Sequence, residues 1–240
     1  DVSMKIKMKN ITTLILLVLL LVVPPIIYSY VTKGYNNFIK LEVVGEKKDN
    51  GDDHIISEFS LVNQHNEIIN NDTMLGNIYV ADFFFTTCPT ICPVMTKNMA
   101  YIQDKLSVYP NLRFLSHTVN PETDTPERFL EYIEEMKQKN IDVDLKNWDF
   151  LTGEKDEIYE VAKSYFVNVS PDSLAPGGFL HSEYFILIDK EGRVRSGIDK
   201  NGNVLGVYDG TKEVQMKDLV NDVKVLMAEY KRPKKTKRKW

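Results

Sequence analysis

Cys88 and Cys92 are the only cysteines in a chain of 240 residues, set three residues apart in Cys88-Pro89-Thr90-Ile91-Cys92-Pro93. If the segment from Pro89 onward is helical, positions i and i+4 share one face, with Cβ atoms about 5–6 Å apart. Two thiolates then converge on one metal ion. The same spacing admits a disulfide, which needs Cα atoms roughly 4.4–6.8 Å apart. The pair follows an apolar, aromatic-rich run, Ile78 to Phe85, that is too short for a helix and predicts a buried central strand. A cysteine pair at a strand end that opens a helix is a reactive site, because a helix N-terminus favours the thiolate that binds metal or attacks disulfides.

Four histidines are available as a third ligand. His54 lies in a polar stretch and His65 at a hairpin tip, where solvation is the expected role. His117 alternates with Leu115 and Val119 on a strand and is expected to be a satisfied core histidine. His181 differs: it follows an irregular segment, Val167 to Leu180, containing Pro171, Pro176, Gly177 and Gly178, and it opens a predicted strand. A long loop without secondary structure of its own is uncommon unless it is functional. Two thiolates and one imidazole suit copper, and zinc could use the same ligands with a water.

The elements that must position these residues follow in order. Glu58 to Ile69 predicts a hairpin around Gln64-His65-Asn66-Glu67. Helical periodicity runs from about Thr90 to Leu106, and Leu112 to Val119 is a strand. Asn120 to Glu127 is a turn that caps a helix, with Thr125 as N-cap, Pro126 at the first helical position and a periodic stretch to Gln138. Trp148 to Leu151 predicts a short strand, Glu154 to Phe166 a helix, His181 to Ile188 a strand, Gly197 to Val207 a short hairpin and Thr211 to Tyr230 a closing helix. Alternating strands and helices predict an α/β class. With the cysteine pair after the first central strand, the layout is a thioredoxin-like sandwich with an extra N-terminal hairpin, preceded by a single transmembrane helix.

Ile11 to Tyr30 has no charged residue, and about 20 such residues span a bilayer. Lys5, Lys7 and Lys9 precede it, so residues 1–10 are expected in the cytoplasm and the rest across the membrane. The segment lacks the small-x-small end of a cleaved signal, and nothing before it has the Arg- and Ser-rich character of a transit peptide. Pro24 and Pro25 are expected to kink or end the helix. The expected division is a cytoplasmic N-terminus (1–10), an anchor (11–31), a linker (32–53), one domain (54–230) and a basic tail (231–240). The implied place is a bacterial inner membrane with the domain in the periplasm, where an idle thiol pair would tend to oxidise. Met4 is the expected start of translation.

The last ten residues carry seven basic side chains, whereas the chain as a whole has a formal charge of −4. Such a tail is expected to be solvated, or to meet anionic lipid or an acidic partner. The compartment excludes nucleic acid.

The blocks FFFTTCPTICPVM, NPETDTPERFLEYI and LHSEYFILIDKEG resemble those of the Sco (SenC) family of copper chaperones, and the resemblance runs from about Ile55 to Tyr230. It implies a thioredoxin-like fold, copper held by Cys88, Cys92 and His181, and delivery to the dinuclear copper centre of cytochrome c oxidase subunit II. An upstream copper donor and a thiol reductant are implied as further partners. Three positions depart from the family pattern: Thr90 where an acidic residue is frequent, Asn120 where an Asp is usual, and Leu180 where an Asp is common. None removes a ligand.

Asp82 points to a competing chemistry. It lies inside the apolar strand six residues before Cys88, and an isolated buried carboxylate tends to hold or handle a proton. Its place in VADFFFTTC resembles the buried Asp that serves the second thiol of thioredoxins, so a thiol–disulfide oxidoreductase with Cys88 and Cys92 as redox pair and Asp82 as candidate proton acceptor is the alternative. The three-residue spacing, and His181-Ser182-Glu183 where thioredoxins carry a cis-proline, stand against it.

Overall fold

The computed structural model describes residues 2–35, 40–47, 50–171, 179–181, 183–199 and 201–231, with backbone alone at 2–10, 30–35, 170–171 and 179–181. Two compact units emerge, one of residues 1–40 with 228–240 and one of residues 41–227. The first contains α1 (Val2–Tyr35), whose segment Ile11–Ser29 is long and apolar enough to cross a membrane. The helix continues through Pro24 and Pro25, so the two prolines do not end it.

The second unit is built on a sheet. Its strands are β1 (Glu42–Val43), β4 (Ile78–Phe84), β5 (Leu112–Thr118), β6 (Trp148–Leu151), β9 (Tyr184–Ile188), β10 (Val194–Ser196) and β11 (Tyr208–Asp209). They run in the order β1-β10-β9-β4-β5-β6, with β11 on β9. β4, β5 and β6 are parallel; β9 is antiparallel to β4 and to β10. All seven residues of β4 are buried, which is why its apolar run is continuous instead of alternating. The helices α3 (Cys92–Lys105), α4 (Pro126–Gln138) and α5 (Lys155–Ser164) follow β4, β5 and β6 in turn, and α6 (Glu213–Lys231) comes last. The expected hairpin is β2 (Ser60–Val62) paired with β3 (Ile68–Asn70), followed by the short α2 (Asn71–Met74).

The α4 start matches its sequence signals: Thr125 Oγ1 accepts from the Arg128 amide at 3.3 Å, and Pro126 is the first helical residue. Behind the sheet's parallel half lies an aromatic core of Phe84, Phe129, Tyr132, Trp148 and Phe150, with Trp148 stacked on Phe150 at 5.2 Å. Burying such rings contributes roughly 1.5–3 kcal/mol for a Phe-sized side chain.

Three features differ from the sequence expectations. The stretch taken as linker contributes β1, in register with β10 through Glu42↔Ser196 and Val43↔Arg195. The Arg195 guanidinium donates to the Leu41 carbonyl at 2.9 Å, so the folded unit begins at Leu41. His54 is also packed in: its Nε2 lies 2.8 Å from the Ser164 carbonyl oxygen, and its ring contacts Phe166 at 4.7 Å. Finally, the segment expected to be irregular holds β7 (Val169–Pro171) and β8 (Phe179–His181), which pair antiparallel with Val169 opposite His181. His181 therefore closes β8 and does not open β9.

Candidate metal and dithiol site

The two cysteines meet at the start of α3, but not as i and i+4 on one helical face. The helix begins at Cys92, and Cys88 sits in the turn before it. Pro89 supplies no amide hydrogen and Pro93 fits a first helical turn, so the helix starts later than periodicity suggests. The Cys88 amide donates to the Phe85 carbonyl at 3.2 Å and closes the turn. The Cys92 amide then donates to Cys88 Sγ at 3.4 Å. One of the otherwise orphaned N–H groups of the helix start is thus aimed at sulfur. The Cys88 sulfur is the member of the pair placed to carry negative charge.

Both residues are buried thiols, with Cys88 6% exposed and Cys92 0%. The Cys92 thiol is pushed far above the ordinary thiol range. Its hydrogen bond with Cys88 is the largest cause, burial comes next, and the charges of Cys88 and Asp82 add to them; a backbone hydrogen bond with Phe85 works the other way. Cys88 and burial thus oppose ionisation of Cys92, while the Cys92 amide donates to the Cys88 sulfur.

Asp82 is buried in β4, opposite Ser116 of β5. It is near enough for its charge to oppose ionisation of Cys92 and of Tyr132. Tyr132 also borders the pair: its hydroxyl lies 2.7 Å from that of Thr96, one helical turn after Cys92. Burial raises the Tyr132 hydroxyl above its ordinary range, so it stays protonated.

His117 is in the core, as expected, but only half satisfied. Its Nδ1 lies 3.3 Å from the Asp82 carbonyl oxygen, while its Nε2 has no hydrogen-bond partner among the described residues. The ring stacks on Phe83 at 5.0 Å, and burial lowers its pKa to about 4. His65 is exposed at the hairpin turn. The His181 side chain lies outside the described part of the chain, so Cys88, Cys92 and Asp82 are the sequence-predicted site residues whose proximity is seen. Among the described residues no group of three His, Cys, Asp or Glu side chains is arranged to hold a metal.

One cluster was not anticipated from sequence. Asp124, inside the turn read only as a helix start, is wholly buried and accepts hydrogen bonds from Thr86 and Thr118. The available signal was a carboxylate in the loop after β5, with threonines at the ends of two adjacent strands.

A family model described as SCO1/SenC matches residues 47–215. The chain belongs to the SCO1/SenC family. It is 30% identical over 171 residues to the SCO1 protein homolog of Bacillus subtilis, covering 70% of this chain and 81% of that one. It resembles the solved structure of BsSco, described as a member of the Sco family of cytochrome c oxidase assembly proteins with a disulfide switch. Identity there is 30%, the TM-score is 0.59, and coverage is 75% of this chain and 95% of the other. Copper-bound ScoI of Arabidopsis thaliana shares the fold at 24% identity and a TM-score of 0.54, covering 71% of this chain and 98% of its own. The thioredoxin-like Sco fold, with the extra β2–β3 hairpin and one N-terminal apolar helix, is thereby established for this family member.

Proposed function

We propose that this Sco-family chain is a membrane-anchored copper metallochaperone. Cys88 and Cys92, as thiolates, hold copper together with His181 and pass it by ligand exchange to the dinuclear copper site of cytochrome c oxidase subunit II. The observation that carries this is the pair of buried cysteines converging at the α3 start, with an amide aimed at Cys88 Sγ, in a member of the SCO1/SenC family. Soft thiolates select Cu(I), and an added imidazole also accommodates Cu(II). Copper is cargo here, so the site must release it. Oxidation to a Cys88–Cys92 disulfide removes both thiolates and with them the metal. The copper-bound ScoI of the same fold is consistent with such cargo. An upstream copper donor and a thiol reductant are needed to reload the site.

The apolar segment Ile11–Ser29, preceded by Lys5, Lys7 and Lys9, supports an inner-membrane anchor with the domain in the periplasm. The chain loaded with copper and mixed with a subunit II fragment bearing the copper-site cysteines should transfer its metal. Retention of copper by the donor under excess reduced acceptor would contradict the proposal.

A second reading, thiol–disulfide oxidoreductase, is favoured by Asp82. Its carboxylate is near enough to act on the Cys92 thiol, as proton transfer during disulfide exchange requires. The disulfide switch described for BsSco supports redox chemistry at such a pair.

A further inference from the structure

A buried hydrogen-bond chain holds the turn that carries Cys88. Thr86, two residues before it, donates its amide to Asp124 Oδ2 at 3.1 Å and its hydroxyl to Asp124 Oδ1 at 2.5 Å. From the end of β5, the Thr118 hydroxyl donates to Asp124 Oδ2 at 2.5 Å. Asp124 is 0% exposed, and its own amide donates to the Asn120 carbonyl at 3.0 Å. On the other side of Thr86, Arg128 Nε donates to the threonine hydroxyl at 3.2 Å. The same guanidinium is held by Glu135 at 2.8 Å and Glu131 at 3.0 Å.

One carboxylate therefore ties together the end of β4, the end of β5 and the entry to α4. Water cannot take its place in a fully buried position, so Thr86 has no cheap alternative partner. From Thr86 the fixed geometry continues through the Phe85–Cys88 turn to Cys88 Sγ and the Cys92 amide. We propose that Asp124 is a positioning residue for the dithiol: by clamping Thr86 it sets where Cys88 Sγ sits relative to Cys92. It thereby sets the balance between the open pair, which takes metal, and the disulfide, which does not. Closing the disulfide brings the sulfur atoms to about 2.05 Å, and the clamp resists any movement of the Cys88 turn toward Cys92. The clamp favours the dithiol. This rests on the proposed dithiol chemistry of the pair, but not on copper being its cargo.

The test is the dithiol–disulfide equilibrium of the full chain in detergent, measured against glutathione. Oxidation forms the Cys88–Cys92 bond and passes two electrons and two protons to oxidised glutathione, which becomes two thiols. Asp124→Asn and Thr86→Val should each shift the equilibrium toward the disulfide by about tenfold, the effect of losing one hydrogen bond to a charged group. Arg128→Gln, which removes only the outer support, should give a smaller shift in the same direction and serves if the buried variants fail to fold. Asp189→Asn, in a separate buried network, is the control for general loosening. Lower thermal midpoints with an unchanged equilibrium in the Asp124, Thr86 and Arg128 variants would overturn the proposal, as would an equal shift in the control. Copper titration of the same samples separates the two ideas: wild type that binds no copper contradicts the chaperone function, while the equilibrium still decides the role of Asp124.

Discussion

The amide of Cys92 points at the sulfur of Cys88 over 3.4 Å, so the first peptide unit of α3 supports one thiol of the pair and not the other. Two chemically identical side chains four residues apart become unequal. Cys88 is the outer sulfur beside a hydrogen-bond donor, and Cys92 is the inner one held protonated by Cys88, burial and nearby negative charge.

That inequality predicts the order of alkylation. With the reduced chain at pH 8, iodoacetamide should modify Cys88 at least about tenfold faster than Cys92, because only the thiolate reacts and Cys92 stays a buried thiol. Peptide mass spectrometry at short times reads the ratio. Faster modification of Cys92 would contradict the assigned asymmetry.

Asp82 predicts a separation of activities. Asp82→Asn removes the carboxylate near Cys92 but no copper ligand. Copper binding should stay within about threefold, while reduction of a test disulfide slows by about a hundredfold or more, the usual range for losing a general base. Stopped-flow assay of both activities on one preparation checks this. Equal loss of both would place Asp82 in the metal site or in the fold instead.

His117 predicts acid sensitivity. Its folded pKa of about 4 is depressed by burial, below the ordinary 6.5. Above pH 6.5 neither state binds the proton and this residue contributes no pH dependence. As pH falls from 6.5 to 4, the unfolded state gains the proton and the folded state does not, so stability declines by on the order of 3 kcal/mol and levels off below pH 4. Urea unfolding across that range should show the decline in wild type and a much smaller one in His117→Phe. An identical pH profile in the variant would refute the assignment.

The Asp189–Arg195 pair predicts what holds the β1–β10 edge. Both side chains are nearly or wholly buried, and Arg195 Nη1 lies 2.8 Å from Asp189 Oδ2. Asp189→Ala leaves a buried guanidinium without its carboxylate and should destabilise the chain by about 3–5 kcal/mol. Chemical denaturation measures it, and a loss below about 1 kcal/mol would show that the pair is dispensable.

Elements carrying strong local signals were legible in the sequence. The unbroken apolar run Ile78–Phe84 could only be a strand buried on both faces, and Thr125-Pro126 marked a helix start because a hydroxyl cap and a fixed proline φ act within one turn. The cysteine pair was legible as a site, but its geometry was not. Periodicity began the helix at about Thr90, whereas Pro89 and Pro93 defer it to Cys92 and leave Cys88 in the turn before it. β1 and the β7–β8 pair have two or three residues each, too few for any period to register, and form because a neighbouring strand supplies hydrogen bonds. Asp124 was missed for a related reason. Its partners Thr86 and Thr118 are 38 and 6 residues away, and only the parallel pairing of β4 with β5 brings them together.

The central claim is that Cys88, Cys92 and His181 together hold copper, and the most direct test is copper binding by the reduced chain in detergent, with wild type and His181→Ala side by side. The account predicts one copper per wild-type chain and thiolate-to-Cu(II) charge-transfer bands in the visible spectrum, both lost in the variant. No tight copper in wild type, with cysteines that readily reduce a test disulfide, would contradict the chaperone function and leave thiol–disulfide exchange, with Asp82 at its centre, as the chemistry of the pair.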